Sequence, residues 1–240
     1  MAVETQSRSA NAFKTIVDTI VSPKEAFESI REVPTWGIAM AVAIVLAAVG
    51  SYLMVPALQH GMAGSWSDMV AKSPQLSQMT PEQQHAQLAL SEKIYGFTWI
   101  FVIVGMPIFM LIEAVVMLVF DKLGRGDGSF GKYFAAAANI AVIGGIGQLI
   151  TGIIAALRGP ESFTSLQAVQ NTMPTFALLV PGAAGKLAAF LAVFTPFSLW
   201  ATGLVIAAMV IVGRVPKLQA WLAGLLLLVV PALLASLGAK

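Results

Sequence analysis

The sequence predicts an all-α integral membrane bundle of five transmembrane helices with an amphipathic, cytosolic N-terminal segment. Three observations carry that class. There are five apolar stretches at about residues 36–57, 96–120, 133–157, 187–212 and 218–239; the composition is 58% hydrophobic with only 11% charged; and the mean hydropathy is +0.82. A hydrocarbon core about 30 Å thick needs ~20 residues of apolar helix, and soluble domains run near ~25% charged, so each stretch is long enough to cross. What remains is too short and broken for a second core. The organisation expected is therefore one membrane domain, residues 36–240, behind a cytosolic segment, residues 1–35. The chain has no cysteine, which excludes disulfides, thiolate metal sites and cysteine nucleophiles.

Residues 1–35 are charged throughout and hold no uninterrupted apolar run before a small-residue cleavage site, so they do not read as a signal peptide. With this segment inside, Arg8, Lys14, Lys24, Arg31, Lys122, Arg125, Lys132, Arg214 and Lys217 all fall in inner segments. Lys72, Lys93, Arg158, Lys186 and Lys240 fall in longer outer ones. The positive-inside rule then places the N-terminus in the cytoplasm and the C-terminus outside.

Within that start, Phe13, Ile16, Val17 and Ile20 recur at helical spacing while Asn11, Lys14 and Asp18 lie opposite. An amphipathic helix of this kind lies on a membrane surface, binds a partner, or packs against the protein's own inner face. Ser22-Pro23-Lys24-Glu25 follows as a helix-start signal, with serine at the cap and proline in the first turn. A second short helix turns Ala26, Phe27 and Ile30 inward, Pro34 ends it, and Trp36 stands where an interfacial aromatic anchors the first span.

The run VSPKEAFESIREVPTW ahead of a first span, together with the glycine-rich inner turn DKLGRGDGSFGKYFAAAANIAVI, resembles bacterial members of the Ypt-interacting protein (YIP) family. The resemblance implies a cytosolic N-terminus, five spans and residence in the bacterial cytoplasmic membrane. The Asp-Leu-Tyr-Gly-Pro sequence of eukaryotic members is missing, as is their proline early in the third span. Their Rab GTPase binding is therefore not implied.

The outer segment after the first span is long and polar, and Thr80-Pro81-Glu82-Gln83 starts a helix that is expected to continue into the second span. His60 and His85 fall in this region at a separation that matches no metal-ligand spacing, and no metal site is expected. In the outer segment from Arg158 to Lys186, Phe163, Leu166 and Val169 predict a short helix lying on the bilayer. Gly126-Asp127-Gly128-Ser129-Phe130-Gly131 fits G-x-G-x-x-G, but no strand precedes it, so it reads as a tight reversal between spans. Lys122, Arg125 and Lys132 around that turn are expected to meet anionic head groups.

Glu113 lies at membrane depth, where a carboxylate costs about 2.5–3.5 kcal/mol on insertion scales unless it is paired. Glu113 and Asn139 are equally far from position 126, which predicts a hydrogen bond between them across an antiparallel hairpin. Thr195, Ser198 and Thr202 form a stripe on the fourth span that would face the same place, and Gln148 adds a further polar group. Together they either line a polar cavity or serve as interhelical glue. Small residues mark close helix approach on the third span, with Ala137, Ala141 and Gly145 on one stripe and Gly144, Gln148 and Gly152 on the next. Pro107, Pro196 and Pro231 are expected to kink the second, fourth and fifth spans.

The function expected is non-enzymatic, because no nucleophile–base pair or metal triad sits at matching depth. It is membrane organisation or lipid handling, with a small transporter or scramblase subunit built around Glu113 as the alternative. Expected partners are membrane lipids, a membrane or cytosolic protein, or a second copy of the chain; no nucleic acid and no cofactor are expected. The orientation has a direct test: a reporter active only in the cytoplasm is expected to work when fused after Lys132 and to fail within residues 65–93.

Overall fold

The computed structural model describes residues 2–180 and 182–238; Lys240 and the side chains of Arg8 and Asn11 lie outside what is described. Among the described residues the fold is α-helical, with two short 3₁₀ turns and no strand. Helices α1 (Ala2–Val21) and α2 (Pro23–Glu32) precede the membrane-length helix α3 (Gly37–Lys72). Then come α4 (Pro74–Ser77), α5 (Pro81–Gly96), and the hairpin of α6 (Thr98–Leu123) and α7 (Phe130–Arg158). The chain closes with α8 (Leu166–Gln170), α9 (Gly185–Ala192), α10 (Pro196–Val212) and α11 (Lys217–Gly238). Four helices, α3, α6, α7 and α11, are long and apolar enough to cross a membrane, and α9 with α10, bent by 55° at the break between them, brings the number to five if the pair is one span. The end carrying α1, α2 and the α6–α7 turn is the inner end below.

The first crossing does not stop near residue 57. At 36 residues and about 1.5 Å per residue, α3 is about 54 Å long, so it rises well clear of a core about 30 Å thick. No proline stands between Gln59 and Lys72, and the extension is covered. Gln59 Nε2 donates to Glu92 O on α5 at 3.1 Å, and Gln84 Nε2 closes the intervening turn on Leu76 O and Met79 O. The expected polar outer segment is thus a helical hairpin. Its second arm starts at Thr80, where the side chain accepts from Gln83 N and Gln83 Oε1 accepts from Thr80 N. That arm does not run unbroken into the second span, because a turn at Phe97 separates α5 from α6.

α3 and α7 rise side by side in the same direction and form the main seam. Ala39, Ala43, Ala47, Gly50 and Ala57 on α3 meet Gly145, Gly152 and Ala155 on α7, all buried. The backbones come close enough that a Cβ on Gly145 would lie 2.9 Å from the Ala43 carbonyl oxygen. One on Gly152 would strike the carbonyl of Gly50, and one on Gly50 that of Gln148. Gly144, from the stripe expected to pack, has nothing within 4 Å of its missing Cβ; Gly147, which was not singled out, faces the ring of Phe197.

The outer segment after α7 also packs on protein rather than on the bilayer. Phe163 and Val169 are buried with Ala57 and Ala155, Arg158 lies 4.7 Å over the Phe163 ring, and Leu166 N donates to Ser65 Oγ. His60 Nδ1 sits 3.1 Å from Phe163 O, so this histidine belongs to the same contact, and His85 stands exposed on α5. At the inner end Ala26, Phe27 and Ile30 of α2 are fully buried against α7 and α10. α2 begins at Pro23 as expected, but the Ser22 side chain makes no cap bond.

The seam generates a contrast between neighbouring glycines. Gly50→Leu is expected to destabilise the detergent-solubilised protein by about 1–3 kcal/mol or more through overpacking, while Gly144→Leu stays within about 0.5 kcal/mol of wild type. Thermal unfolding of the two variants measures both.

Candidate functional site

The polar residues expected to converge do not converge. Glu113 is 5% exposed on the buried stripe of α6 that also holds Met110, Ala114 and Met117, and it makes no hydrogen bond or ion pair among the described residues. The expected bond to Asn139 is not formed. Asn139 Nδ2 donates instead to Ala135 O at 2.8 Å and to Thr35 O at 3.1 Å, and its Oδ1 is buried without a partner. The physical reason is backbone demand: Thr35 lies just before α3, outside any helical ladder, and its carbonyl takes the Asn139 amide as a donor. Gln148 is spent elsewhere, donating to Ser51 Oγ at 3.1 Å and contacting Met54 Sδ at 3.4 Å across the α3–α7 seam.

The stripe on the fourth span is a helix start. Thr195 is the N-cap of α10: its Oγ1 accepts from Ser198 N, and its own N–H donates to Ser198 Oγ at 2.8 Å. Ser198 Oγ also donates to Val193 O at 2.7 Å, and Thr202 Oγ1 bonds back to Ser198 O. Pro196 therefore does not kink a continuous helix. It opens α10 after a break, and the capping box supplies the hydrogen bonds that the break removes.

A buried carboxylate that the sequence reading passed over organises the inner end. Asp121 has no solvent exposure; its Oδ1 accepts from the Tyr133 hydroxyl at 2.6 Å and from Gly128 N at 3.1 Å. Its Oδ2 takes the Lys122 ammonium at 2.9 Å, which also donates to Gly128 O. Three glycines wall this group. A Cβ on Gly126 or Gly213 would collide with Asp121 Oδ1, and one on Gly128 would come within 2.5 Å of the Tyr133 ring. The first two glycines of the G-x-G-x-x-G match, Gly126 and Gly128, thus bring backbone up to a carboxylate of the same chain, while Gly131 has nothing within 4 Å of its missing Cβ. The cluster also joins two turns, since Asp127 N donates to Gly213 O at 2.9 Å and Arg214 pairs with Asp127 at 3.5 Å. Arg125 (φ 55°) and Arg214 (φ 51°) take the left-handed conformation where α6 and α10 end. An acid closing an apolar span, followed by glycine at alternate positions and a tyrosine beyond, is the signal that was available.

Of the expected head-group contacts, Lys122 is committed to Asp121 and Gly128 although its side chain stays well exposed, whereas Arg125 is exposed, Lys132 is half-buried and both make no ion pair among the described residues. The amphipathic start is split between a buried face and an outward one. Ala12, Thr15, Ile16 and Thr19 are buried, while Phe13 (57% exposed), Val17 (56%) and Val21 (68%) form an outward apolar stripe. Lys14 donates to Asp18 at 2.6 Å on the remaining flank, and that hydrogen bond holds its ammonium above the usual lysine pKa.

Residues 17–239 match the model of the Yip1 domain family. The chain is similar to membrane protein YknW of Bacillus subtilis (strain 168), with 25% identity over 226 residues that cover 94% of this chain and 90% of that protein. No solved structure matches.

The Asp121 cluster predicts coupled losses. Asp121→Asn and Tyr133→Phe are each expected to cost about 1–3 kcal/mol, and the double variant to fall short of the sum by about 0.5–3 kcal/mol. A double-mutant cycle on thermal unfolding reads the difference.

Proposed function

This chain belongs to the Yip1 domain family, and from that premise we propose that it is a non-enzymatic membrane-organising protein that engages the cytoplasmic leaflet through its inner end. It is an integral membrane protein; the leaflet it engages, its residence in the bacterial cytoplasmic membrane and its cytosolic N-terminus belong to the proposal. The observation that carries it is the three-sided α1. One face docks on α2, α3 and α7, a second presents Phe13, Val17 and Val21, and a third carries the Lys14–Asp18 pair. At 100° per residue the outward apolar stripe sits between the docked face and the charged flank. A helix lying in the interface beside its own bundle needs that order, with protein on one side, acyl chains on the next and water on the third. Arg125, Lys132 and Lys217, at the same end, supply cations to acidic head groups at about 1 kcal/mol each.

Partner binding at the same surface belongs to this reading, because a helix already seated on its bundle offers a fixed apolar edge to another membrane protein or to a second copy. A transporter or scramblase is the second reading, and the specific observation in its favour is Glu113, buried with no hydrogen-bonding partner among the described residues.

Because the chain lacks cysteine, one can be placed at will. A fluorophore on Val17→Cys of the full-length protein in nanodiscs is expected to be quenched by spin-labelled acyl chains, and one on Lys14→Cys to be quenched much less. Equal, weak quenching at both positions overturns the leaflet reading. Glu113→Gln in liposomes separates the second reading: lipid or solute flux in the wild type that this variant abolishes, with thermal stability unchanged, establishes it.

A further inference from the structure

We propose that the outer end of the bundle holds a binding site for one acidic phospholipid, with an acyl chain against α9 and α11 and the phosphate beside Lys72. A cavity of about 860 Å³ opens there between α9, the last turns of α11, α8 and the raised end of α3. It lies at the opposite end from the surface of the previous section and does not depend on that reading.

The first argument is what the sequence puts on its walls. α9 and the end of α11 alternate large and small apolar residues, and the structure sorts them by size. Leu187, Leu234 and Leu237 are exposed on the outside, while Ala188, Ala189, Ala192, Ala235 and Gly238 line the cavity. In the α3–α7 seam small residues of this kind let two backbones close to contact. Here α9 and α11 also run in contact, and the cavity opens beside that contact, towards α8 and the raised end of α3. The apolar wall follows α9, 8 residues and about 12 Å long, and the end of α11, which gives room for part of an acyl chain. The volume lies within the ~300–1,000 Å³ of small-molecule sites.

The second argument is where polarity and charge sit. On the side of α3 and α8 the lining includes Lys72, Ser73, Gln167 and Gln170 among the apolar Met69, Leu76 and Leu166. Lys72 carries the charge in this lining, and it makes no ion pair among the described residues. A cation flanked by a hydroxyl and two amides, above an apolar trough, complements an anionic phosphate and its glycerol oxygens more than a neutral sterol or free fatty chain. The break at residues 193–195 leaves no competing site, since Ser198 and the local turn already take the carbonyls of Phe190, Leu191 and Val193.

The test uses full-length protein in a nonionic detergent, titrated with dioctanoyl phosphatidylglycerol or with dioctanoyl phosphatidylcholine while thermal unfolding is followed. The glycerol lipid is expected to raise Tm saturably and the choline lipid to leave it unchanged. Lys72→Gln is expected to weaken the apparent affinity about fivefold, Gln170→Glu to weaken it at least as much by setting a carboxylate against the phosphate, and Ala189→Trp to abolish the response by filling the trough. Equal stabilisation by both lipids overturns the proposal. So does a response that survives Ala189→Trp, or one unchanged in all three variants, which places the lipid at the inner-end cations. Where Ala189→Trp does not fold, the exposed positions Lys72 and Gln170 decide the matter alone.

Discussion

Inside a bilayer, apolar helices gain nothing by hiding from their surroundings, so close backbone contact has to hold them together. In this chain the contact is the α3–α7 seam, where Gly50, Gly145 and Gly152 leave room for the opposing carbonyl groups. The outer segment then folds over α3 because α3 stands above the core with Ala57, Gly61 and Gly64 facing it; a Cβ on Gly61 would lie 2.9 Å from Ser165 O. Helices α6 and α10 lean on the faces that the seam leaves, and α2 closes the inner end with Phe27 and Ile30.

The same dry surroundings dictate how polar side chains are used. Several are spent on backbone carbonyls at breaks and turns: Asn139 on Thr35 O, Ser198 on Val193 O and Thr195 O, Lys122 on Gly128 O. Gln148 and Ser51 satisfy one another across the seam. Polar residues distributed in this way hold breaks and turns in place and do not meet at one point, and Asn139 Oδ1 is left buried without a partner. Glu113 stands outside that pattern, which is why it carries the second functional reading.

Much of the architecture was legible. Runs of ~20 apolar residues identify crossings through length alone, and Thr80-Pro81-Glu82-Gln83 carries its cap in its side chains. The boundary of α3 was not, because Gly61 and Gly64 look like breakers in sequence and turn out to be contact points against the segment after α7. The break before α10 was in fact readable, since Thr195-Pro196-Phe197-Ser198 repeats the threonine–proline start of α5, but a proline within an apolar run is equally well a kink. For the candidate site, equal distance from a turn fixes the depth of Glu113 and Asn139 and says nothing of their rotation about the helix axes. Asp121 escaped notice because an acid at the end of a span resembles one in the head-group layer, and only the fold brings Tyr133 and Gly213 against it. The N-terminal stripe was read as one surface; Ile16 docks while Phe13 and Val17 stay outside, a division set by α2 and α7.

The direction of the main seam bears on how the protein is made. α3 and α7 run the same way, so α6 must be synthesised and laid down before α3 meets its partner. Between Gly50 and Gly152 lie roughly 100 residues, which at about 5–20 residues per second is on the order of 5–20 s of translation. For that time the alanine and glycine face of the first span lacks the partner it has in the finished fold. The insertion machinery therefore handles a helix whose best surface for association is unoccupied, and the third span ends that exposure by arriving in register.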